Sequence, residues 1–545
     1  MEPMFTAEQL NRMSRENLIE LMQVMQKQQQ KTETKLQLME EKQKELEFIN
    51  AMLSERLTLD RRRRFGASSE KYAEGYEQLN LFNEAEAALD EEETAEEKIE
   101  VASHKRKKHT GKKEEDLSGF EVTERIEYKL TGEDRYCPDC GEKYKVVTKE
   151  TVKRLKFVPA SFEVVEEISY VYSCPECGAM KRMEKVPGLI KGSIATPSLV
   201  AGIMNAKYVN GMPLAGQERE FARYGLKLST KTMANWIISC ADHYLKLVYD
   251  RMKEEFLKSR YIHCDETRLQ VIDEPGQQGC TQNWMWVYLT DRYSEAPQMV
   301  LFDYERTRSG YHPKNFLGNK FEGYLTCDGY QAYHGLKDSV TVTGCFTHAR
   351  RRFDAALTAL KKDFTKEQLQ STVAYQAMSR IGILYKIEEL IQDKSPQERY
   401  QERQKQSRPV ADAFFEWLHT MEDSVDRSSL IGDATLYALN QEVYLRRYLE
   451  DGHLSIDNNS AERAIKNFAV GRRNWLFSKS IRGADASAAV YSITETALLN
   501  GLKPYFYLTY VLEQLRRMGP FPKAEELDRL LPWSKGLPEE LYTKK

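Results

Sequence analysis

The stretch YIHCDET, residues 261–267, decides the fold class. It lies within a longer apolar and β-branched run, residues 260–272, that predicts a buried strand interrupted by Asp265. A second stretch of the same form, YLTCDGY at residues 324–330, leads to Asp328. The two stretches indicate that two strands of one fold each carry a carboxylate at or near an end.

The elements around these stretches predict one sheet. The strand candidates are residues 260–272, 284–289, 299–304, 323–327 and 340–345. Helix candidates lie at residues 310–317 and from His348 onward. The order β-β-β-α-β-α-β-α is the ribonuclease-H-like pattern, in which the first and fourth strands are adjacent at the centre of the sheet. We therefore expect Asp265 and Asp328 to lie side by side in an α/β catalytic core.

A third acidic residue completes the candidate site. Glu462 stands in the stretch DNNSAER, residues 457–463, which opens a predicted helix. Three carboxylates that converge from two strands and a helix suit a pair of hard divalent cations, Mg²⁺ or Mn²⁺, and such a pair supports phosphoryl transfer. We expect Asp265 to bridge the ions, with Asp328 on one and Glu462 on the other. Water would first free a 3′-hydroxyl, which would then attack target DNA.

Each acid also has an ordinary structural interpretation. The pair of Asp265 and Glu266 has the form of a solvated strand end, and Asp328 with the glycine after it is a common turn pair. Glu462 follows Asn459 by three residues and fits a capping box at a helix start. The order of the strands favours a joint metal site over three unrelated acids.

The composition predicts a multidomain chain that is largely soluble. Its 545 residues exceed what one hydrophobic core supports, and 30% of them are charged. The net charge of −3 averages over unlike segments and does not exclude a nucleic-acid partner. We expect neither a membrane span nor a secretory signal, because the required apolar runs are missing. Nine cysteines, four of them in C-x-x-C pairs, indicate a reducing compartment, and we expect a cytoplasmic, nucleoid-associated protein.

The N-terminal part predicts a long helix and then a charged linker. Within the predicted coiled-coil domain, residues 1–65, the stretch from about 8 to 60 contains no Gly or Pro and has an approximate heptad pattern. This pattern favours a coiled coil, and a solvated helix lying on another domain is the alternative. Four consecutive arginines, residues 61–64, would either grip phosphates or form a solvated helix end. Residues 66–125 are first acidic and then basic, as in linkers. The coiled coil predicts at least a dimer.

Two C-P-x-C-G knuckles predict a zinc ribbon in residues 126–190. Cys137 and Cys140 belong to the first knuckle, and Cys174 and Cys177 to the second. Four thiolates suit a structural Zn²⁺ ion in tetrahedral coordination, and alternating segments between the knuckles suit strands. A redox dithiol needs only one such pair, usually near a βαβ unit that the sequence does not predict here. We expect the ribbon to bind DNA, although not every zinc ribbon does.

The remaining domains surround the predicted core. Residues 191–258 are predicted to be helical, and a capped helix after Ser229 has the form of the second half of a DNA-binding helix-turn-helix. Such a turn and helix are equally common in helical domains that do not bind DNA. The other predicted domains are the first part of the core at 259–355, an all-α insertion at 356–452, the last part of the core at 453–500 and a short C-terminal helical domain at 501–545.

Several cationic or aromatic residues near the triad are candidates for contacts with DNA. They follow the fifth strand or lie along the helix of Glu462, where cations would hold phosphates and a ring would stack on an unpaired base. The alternative is ordinary surface charge and, for the tryptophan, core packing. The candidates are His348, Arg350, Arg351, Arg463, Lys466, Arg472, Arg473 and Trp475.

In combination, these motifs resemble the bacterial transposases of the insertion-sequence-66 family. The resemblance rests on both cysteine knuckles and on the stretches HCDET at 263–267, CDGY at 327–330, HARR at 348–351, DNNSAER at 457–463, NWLF at 474–477 and the arginine-rich segment at 61–71. It covers nearly the whole chain in one order: leucine-zipper-like helix, zinc-binding domain, DDE domain with a helical insertion, and short C-terminal domain. One departure is Phe346, where the family often has tryptophan.

The resemblance implies a DDE transposase that moves DNA between inverted repeats. It carries over Asp265, Asp328 and Glu462 as the triad and the four knuckle cysteines as zinc ligands. The implied partners are double-stranded DNA, a second copy of the chain and small accessory proteins. One alternative is a noncatalytic zinc-ribbon DNA-binding regulator, which the intact triad disfavours. Another is a ribonuclease-H-like nuclease without strand transfer, which the long N-terminal half disfavours.

Overall fold

The computed structural model of the protein describes residues 161–168, 170–173, 180–182, 186–273, 282–361 and 363–543, with scattered helical positions between residues 22 and 54. The predicted linker, and most of the predicted coiled coil, lie outside the described residues. The chain divides into two compact units. Of the described residues, the larger unit contains those in 187–217 and 229–537, and the smaller unit contains those in 161–186, 218–228 and 538–543.

Two short strands belong to the smaller unit. β1 (Val171–Ser173) pairs antiparallel with β2 (Met180–Arg182). Ser173 is the register partner of Met180, and these two residues flank the segment of the second cysteine knuckle. In the same unit, the rings of Phe162 and Phe221 meet edge to face with centroids 5.1 Å apart. In the part of the chain that the structure describes, the prediction of strands between the knuckles is met only by β1, since residues 161–168 form no strand and β2 follows the second knuckle.

Four helices precede the main sheet in sequence: α1 (Pro197–Met204), α2 (Leu214–Arg223), α3 (Thr230–Cys240) and α4 (Lys246–Phe256). Thr196 caps α1 by accepting the N–H of Leu199, and the proline at the start of α1 suits a position where no backbone donor is needed. Ser229 caps α3 by accepting the N–H of Thr232, as predicted. Short π-helical segments continue two of these helices, at Asn205–Val209 and Ala241–Leu245.

A five-stranded mixed sheet forms the core of the larger unit. Its strands are β3 (Tyr261–Gln270), β4 (Gln282–Thr290), β5 (Val300–Glu305), β6 (Gly323–Thr326) and β7 (Val340–Thr343). They lie in the order β5-β4-β3-β6-β7. β3, β4 and β5 are mutually antiparallel neighbours, whereas β3, β6 and β7 run parallel. The first and fourth strands of this sheet are therefore adjacent, as the sequence predicted.

Three helices alternate with the later strands: α5 (Tyr311–Leu317), α6 (Gln331–His334) and α7 (Phe346–Leu360). The observed order is thus β-β-β-α-β-α-β-α, in agreement with the prediction. The predicted strand ends differ from the observed ones by at most two residues, which is the ordinary uncertainty of element boundaries. β4 is the most buried strand, with Trp286 and Tyr288 fully inside the core.

The region after α7 is all helical. Its helices are α8 (Lys366–Gln370), α9 (Val373–Ile391), α10 (Pro396–Glu402), α11 (Arg408–Met421), α12 (Leu430–Asn440) and α13 (Glu442–Arg446). They enclose an apolar cluster that includes Ile381, Phe414 and Phe415 and extends to Tyr261 on β3. α7 runs through the predicted boundary at residue 355, and its last turn contributes Leu360 to this cluster. The sheet and the insertion therefore share one continuous helix.

A buried ion pair fastens the end of the insertion to its core. Arg403 is fully buried, and its guanidinium donates to both oxygens of Glu388 at 2.8 and 2.6 Å. The same group donates to the backbone carbonyls of Tyr448, Asp451 and Leu454. These hydrogen bonds satisfy a charge that would otherwise be costly to bury, and they fix the chain just before the segment of Glu462.

Two long helices follow, α14 (Asn459–Trp475) and α15 (Ile481–Leu499). α15 packs on the edge strand β5, where the Ser492 hydroxyl accepts the N–H of Phe302 at 2.8 Å and the Thr496 hydroxyl accepts that of Val300 at 3.0 Å. The helix thus occupies backbone donors that an open strand edge would leave unpaired.

The chain continues with α16 (Pro504–Met518) and α17 (Ala524–Asp528). In α16 the Tyr507 hydroxyl donates to the carbonyl of Leu530 at 2.6 Å, and Arg251 on α4 donates to Asp528 at the end of α17. These bonds fasten the C-terminal helices to the larger unit. Among the described residues, no helix combines the length and the apolar character that crossing a membrane would require.

Candidate active site

The parallel pairing of β3 and β6 brings two of the predicted acids together. Its register pairs Ile262 with Leu325 and His263 with Thr326. Continued by two residues, the same register places Asp265 level with Asp328. Side chains alternate between the faces of a sheet with a period of two, so the acids also share a face. The backbone alone thus makes these two carboxylates neighbours.

Asp265 lies in a concentrated field of negative charge. Burial, together with the carboxylates of Glu266 and Asp328, raises the pKa of Asp265 well above its usual range, and Glu462 adds to this effect. The N–H of Glu266 donates to Asp265 Oδ1 at 2.8 Å, which acts in the opposite direction. Carboxylates gathered in this way repel one another and favour a bound cation.

Glu266 is a fourth carboxylate of the site, and the sequence interpretation of a solvated acidic pair missed it. Its side chain is completely buried. Arg308 Nε donates to Glu266 Oε1 at 2.6 Å, and the Tyr333 hydroxyl donates to Oε2. Burial and the charge of Asp328 raise the pKa of Glu266, while the bonds from Tyr333 and Arg308 lower it in part. The same arginine reaches Asp328, with Nη2 3.8 Å from Oδ2, and so connects the two acids.

Asp328 is held in the turn that follows β6. Its Oδ1 accepts the N–H of Tyr330 at 2.9 Å, so the predicted turn interaction is present. The next residue, Gly329, faces the insertion, and a Cβ at that position would lie 2.7 Å from the hydroxyl of Tyr437 on α12. The glycine in CDGY therefore allows a helix of the insertion to approach the site closely.

Glu462 is supplied by the first turn of α14, but not as a cap. The N-cap residue of α14 is Asn458, and it makes no side-chain cap bond. Glu462 instead faces α7, where Arg351 donates to both of its oxygens, to Oε1 at 3.1 Å. His348 Nδ1 lies 3.8 Å from the same Oε1. The capping box that the sequence left open is thus absent, and two side chains of the HARR stretch surround the glutamate.

A buried polar network ties β3 to the start of α14. His263 Nε2 bonds Asp291 Oδ2 at 2.9 Å, and both side chains are 1% exposed. On its other side, His263 Nδ1 bonds Asn458 Oδ1 at 2.9 Å, while Asn458 Nδ2 donates to the carbonyl of Cys264 at 2.8 Å. Because the amide nitrogen is used in that bond, the amide oxygen must accept from the imidazole. Both ring nitrogens then carry protons, and His263 is a buried imidazolium.

The pKa values within this network support the same charge state. Burial alone would lower the pKa of His263, but the charge of Asp291 and the bonds to Asp291 and Asn458 raise it overall. Burial would raise the pKa of Asp291, but His263 and the donors around Asp291 lower it overall. The sequence reasoning did not identify this pair. The histidine directly before Cys264 in HCDET was its only local signal.

The predicted DNA-contacting residues fall into two groups along the site. His348 and Arg351 contact Glu462, and Arg350 lies on the same helix with its guanidinium 5.5 Å from the ring centre of Tyr385. The other candidates follow Glu462 along α14. Arg463 and Lys466 lie within about one turn, whereas the segment from Arg472 begins about 15 Å away, at 1.5 Å per residue.

The two ends of α14 therefore differ in their surroundings. Arg463, Lys466 and Arg473 are exposed, as a contact to a DNA backbone requires. Arg472 donates to the carbonyl of Arg268, and Trp475 packs edge to face on Tyr208 with centroids 6.1 Å apart. This ring contact supports the alternative that Trp475 packs in the protein core.

The donors present fit a divalent cation. Within the described ranges, ligand atoms of Cys345, His348 and Glu462 lie within 4.8 Å of one another. Asp265, Asp328 and Glu462 do not form so close a group there. Carboxylates on opposite ions of a pair about 3.5–4 Å apart are expected to lie further apart than ligands of a single ion. His348 Nδ1 is buried and has no hydrogen-bond partner, which leaves an unused ligand atom at this site.

The predicted zinc ligands Cys137, Cys140, Cys174 and Cys177 lie outside the described residues. Their arrangement around a zinc ion therefore stays a prediction. The cysteines that the structure describes are Cys240, Cys264, Cys327 and Cys345, and all four are buried free thiols.

Comparison with known protein families gives a match over more than half of the chain. Residues 192–486, which contain all three acids, match the family described as Transposase IS66 family. The chain belongs to the IS66 transposase family. Residues 134–178, which contain the four knuckle cysteines, match the zinc-finger binding domain of transposase IS66, and this match supports a structural zinc ion. Further IS66 matches are the C-terminal element at 492–533 and the domain described as Transposase C of IS166 homeodomain at 52–118.

This IS66 transposase is similar to several proteins of Sinorhizobium fredii. It is 29% identical to the protein y4hP over 411 residues, which cover 73% of each chain. It is 29% identical to y4jD over 414 residues, 74% of this chain and 78% of the relative, and 28% identical to y4qI over 410 residues, 73% of each. No solved structure matches the chain.

Proposed function

We propose that this IS66 transposase is a DDE enzyme that binds the inverted-repeat ends of an insertion element, cleaves a strand at each end and joins the ends to target DNA. Asp265, Asp328 and Glu462 are its catalytic acids. The observation that supports this most is the parallel register of β3 and β6, which makes Asp265 and Asp328 neighbours, together with the packing of α14 against β3. Two adjacent strands and one helix that packs on β3 thus support a common site for the three carboxylates.

The sheet supports a ribonuclease-H-like core. Its strand order β5-β4-β3-β6-β7 has three antiparallel strands followed by two that run parallel to β3, which is the arrangement expected from the sequence. The insertion separates Asp328 from Glu462 in sequence, yet α14 returns to β3. The buried bonds of His263 with Asp291 and Asn458 reinforce this return.

The carboxylates at this site would hold a pair of Mg²⁺ or Mn²⁺ ions through oxygen ligands, which such ions prefer. When bound, the pair would activate the attacking oxygen and stabilise the leaving one. Arg308 holds Glu266 and approaches Asp328, so it limits the negative charge that the site carries before ions bind. Arg351 has the same effect on Glu462.

The exposed cations beside the triad support a path for DNA. Exposed cations lie on both helices that meet at Glu462, Arg350 and Arg351 on α7 and Arg463 and Lys466 on α14, and Arg351 pairs with Glu462. Cations at these positions would hold phosphates next to the scissile bond without reading bases. Two DNA ends must be held together for joining, so we also propose that the protein acts as a dimer or larger oligomer through its N-terminal helix, with accessory proteins.

The test uses the purified full chain, its bound zinc, added Mg²⁺ or Mn²⁺ and DNA that carries the ends of the element. We expect strand cleavage and joining by the parent protein, and a loss of at least about 10³-fold for Asp265→Asn and for Glu462→Gln, with unchanged binding to the ends. The matched control is Asp412→Asn, which changes a partly exposed aspartate of the insertion that pairs with Arg446.

Cleavage and joining by Asp265→Asn at the parental rate would overturn the triad. A parent protein that binds the ends but does not cut them, even with accessory proteins, would instead favour a noncatalytic regulator. Cleavage without joining would favour a nuclease without strand transfer.

A further inference from the structure

We infer that His348 is a ligand, through Nδ1, of the divalent ion that Glu462 holds, and that this nitrogen does not contact DNA phosphates. The inference rests on the proposed function, since it assigns a further protein ligand to the same site. It adds a nitrogen donor to a site otherwise built from carboxylate oxygens.

The position of the imidazole carries the argument. His348 Nδ1 lies 3.8 Å from Glu462 Oε1. Two ligands of one octahedral ion are about 3 Å apart when adjacent and about 4 Å apart when opposite, for bonds of about 2.1 Å. The observed distance lies within this range and is too long for a hydrogen bond. The two atoms are therefore placed to share an ion.

The nitrogen is also unused by the protein itself. His348 Nδ1 is buried and has no hydrogen-bond partner among the described residues. A buried polar atom without a partner costs free energy, and native structures satisfy nearly all such atoms. A ligand bond to an ion at Glu462 would satisfy Nδ1. Because Nδ1 is buried, a DNA phosphate could reach this 30% exposed side chain only through Nε2.

The backbone supports this placement. His348 lies in the first turn of α7, where its N–H donates to the carbonyl of Cys345 at 3.3 Å. The Cys345 sulfur completes the group of three ligand atoms within 4.8 Å. This sulfur already accepts the N–H of Asn458 at 3.2 Å, and burial raises the pKa of its thiol to about 12, so it is not counted as a ligand. An imidazole nitrogen next to a carboxylate suits Mn²⁺ better than Mg²⁺. We therefore expect this position to bind Mn²⁺ more tightly than Mg²⁺.

Arg351 compensates the negative charge of Glu462 when no ion is bound. It lies one turn after His348 on α7 and donates to both oxygens of Glu462. Its side chain is 54% exposed, so solvent or a DNA phosphate could take the place of Glu462 when an ion binds there. His348 differs from Arg351 in that its Nδ1 is buried beside the glutamate and has no hydrogen-bond partner among the described residues.

The test measures Mn²⁺ coordination in the full chain with its zinc retained. Pulsed electron paramagnetic resonance of bound Mn²⁺ should detect directly bonded imidazole nitrogen, and ¹⁵N-histidine labelling should change the coupling. His348→Ala should abolish this coupling and weaken Mn²⁺ binding by about tenfold or more. His348→Asp should restore Mn²⁺ binding through an oxygen ligand, while the nitrogen coupling stays absent. The matched control is His419→Ala, which removes an exposed histidine paired with Glu442.

Two further arms separate this inference from the proposed function. Nitrogen coupling that persists in His348→Ala would overturn the ligand role, while a loss of Mn²⁺ binding in Asp265→Asn and Glu462→Gln would keep the proposed function intact. Mn²⁺ binding that neither carboxylate variant changes would overturn the triad itself. Binding of DNA ends without added divalent ion should be unchanged in His348→Ala, and weaker binding would favour a phosphate contact instead.

Discussion

The buried pair of His263 and Asp291 should contribute more to stability than a surface ion pair does. The test change is Asp291→Asn, which keeps the volume and removes the charge. Both side chains are 1% exposed, so solvent does not screen the interaction. Removal of one partner of a buried pair costs about 3–5 kcal/mol. Because the imidazole can lose its proton and avoid an uncompensated charge, we expect the lower end, about 3 kcal/mol.

Urea unfolding followed by circular dichroism measures this free energy in the full chain. Asp412→Asn is the control, because its partly exposed pair with Arg446 should contribute less than about 1 kcal/mol. Hydrogen exchange should show the added opening in β3 and in the first turn of α14, which the network connects. A loss for Asp291→Asn no larger than that of the control would refute the reasoning, as would ¹⁵N-histidine spectra in which His263 of the parent protein is neutral at pH 6.

The same pair predicts a pH dependence of stability. The folded-state pKa of His263 is raised above its ordinary 6.5, so its contribution is complete below about pH 6.5 and is lost as the pH rises through the raised value. The folded-state pKa of Asp291 is lowered below its ordinary 3.8, so its contribution is present above about pH 3.8 and is lost as the pH falls through the lowered value. The difference in stability between parent and Asp291→Asn should be largest between these limits.

Three further changes test other contacts. Arg351→Ala should strengthen Mn²⁺ binding by up to about fivefold, because it removes a half-exposed cation that competes for Glu462; unchanged or weaker binding in a titration would contradict this. Gly329→Ala should lower the free energy of unfolding by about 1–3 kcal/mol, because its Cβ would meet the Tyr437 hydroxyl at 2.7 Å. The double variant with Tyr437→Ala should regain part of this loss. A double variant no more stable than the single one would argue against this contact. Cys137→Ser should remove one zinc ion per chain, measured by elemental analysis, and weaken binding to DNA ends while Mn²⁺ binding stays unchanged; full zinc content would contradict the four-thiolate site.

The core was predictable because its signals are local. Alternating and apolar runs indicate strands, and the strand order then follows from their sequence and from the helices between them. The pairing of β3 with β6, and with it the proximity of Asp265 and Asp328, was predicted in this way and is observed. The cap at Ser229 was predictable for the same reason, since a cap depends on four consecutive residues.

Other parts of the site had no local signal. Glu266 was interpreted as a solvated neighbour of Asp265, but it is buried because Tyr333 and Arg308, far along the chain, surround it. Glu462 had an equally good interpretation as a capping residue. Only the packing of α14 beside α7 shows that Arg351 and not the helix end engages it.

The sequence by itself determined the order of the elements and the family, because those depend on residue types at short spacings along the chain. The three acids were predicted from the same kind of signal. The tertiary structure alone decided which charges compensate one another. Three contacts join residues that are far apart in sequence: His263 with Asp291, His348 with Glu462, and Tyr437 with Gly329. Burial strengthens such contacts by excluding water, and burial is set by how the helices pack on the sheet, which no short stretch of residues encodes.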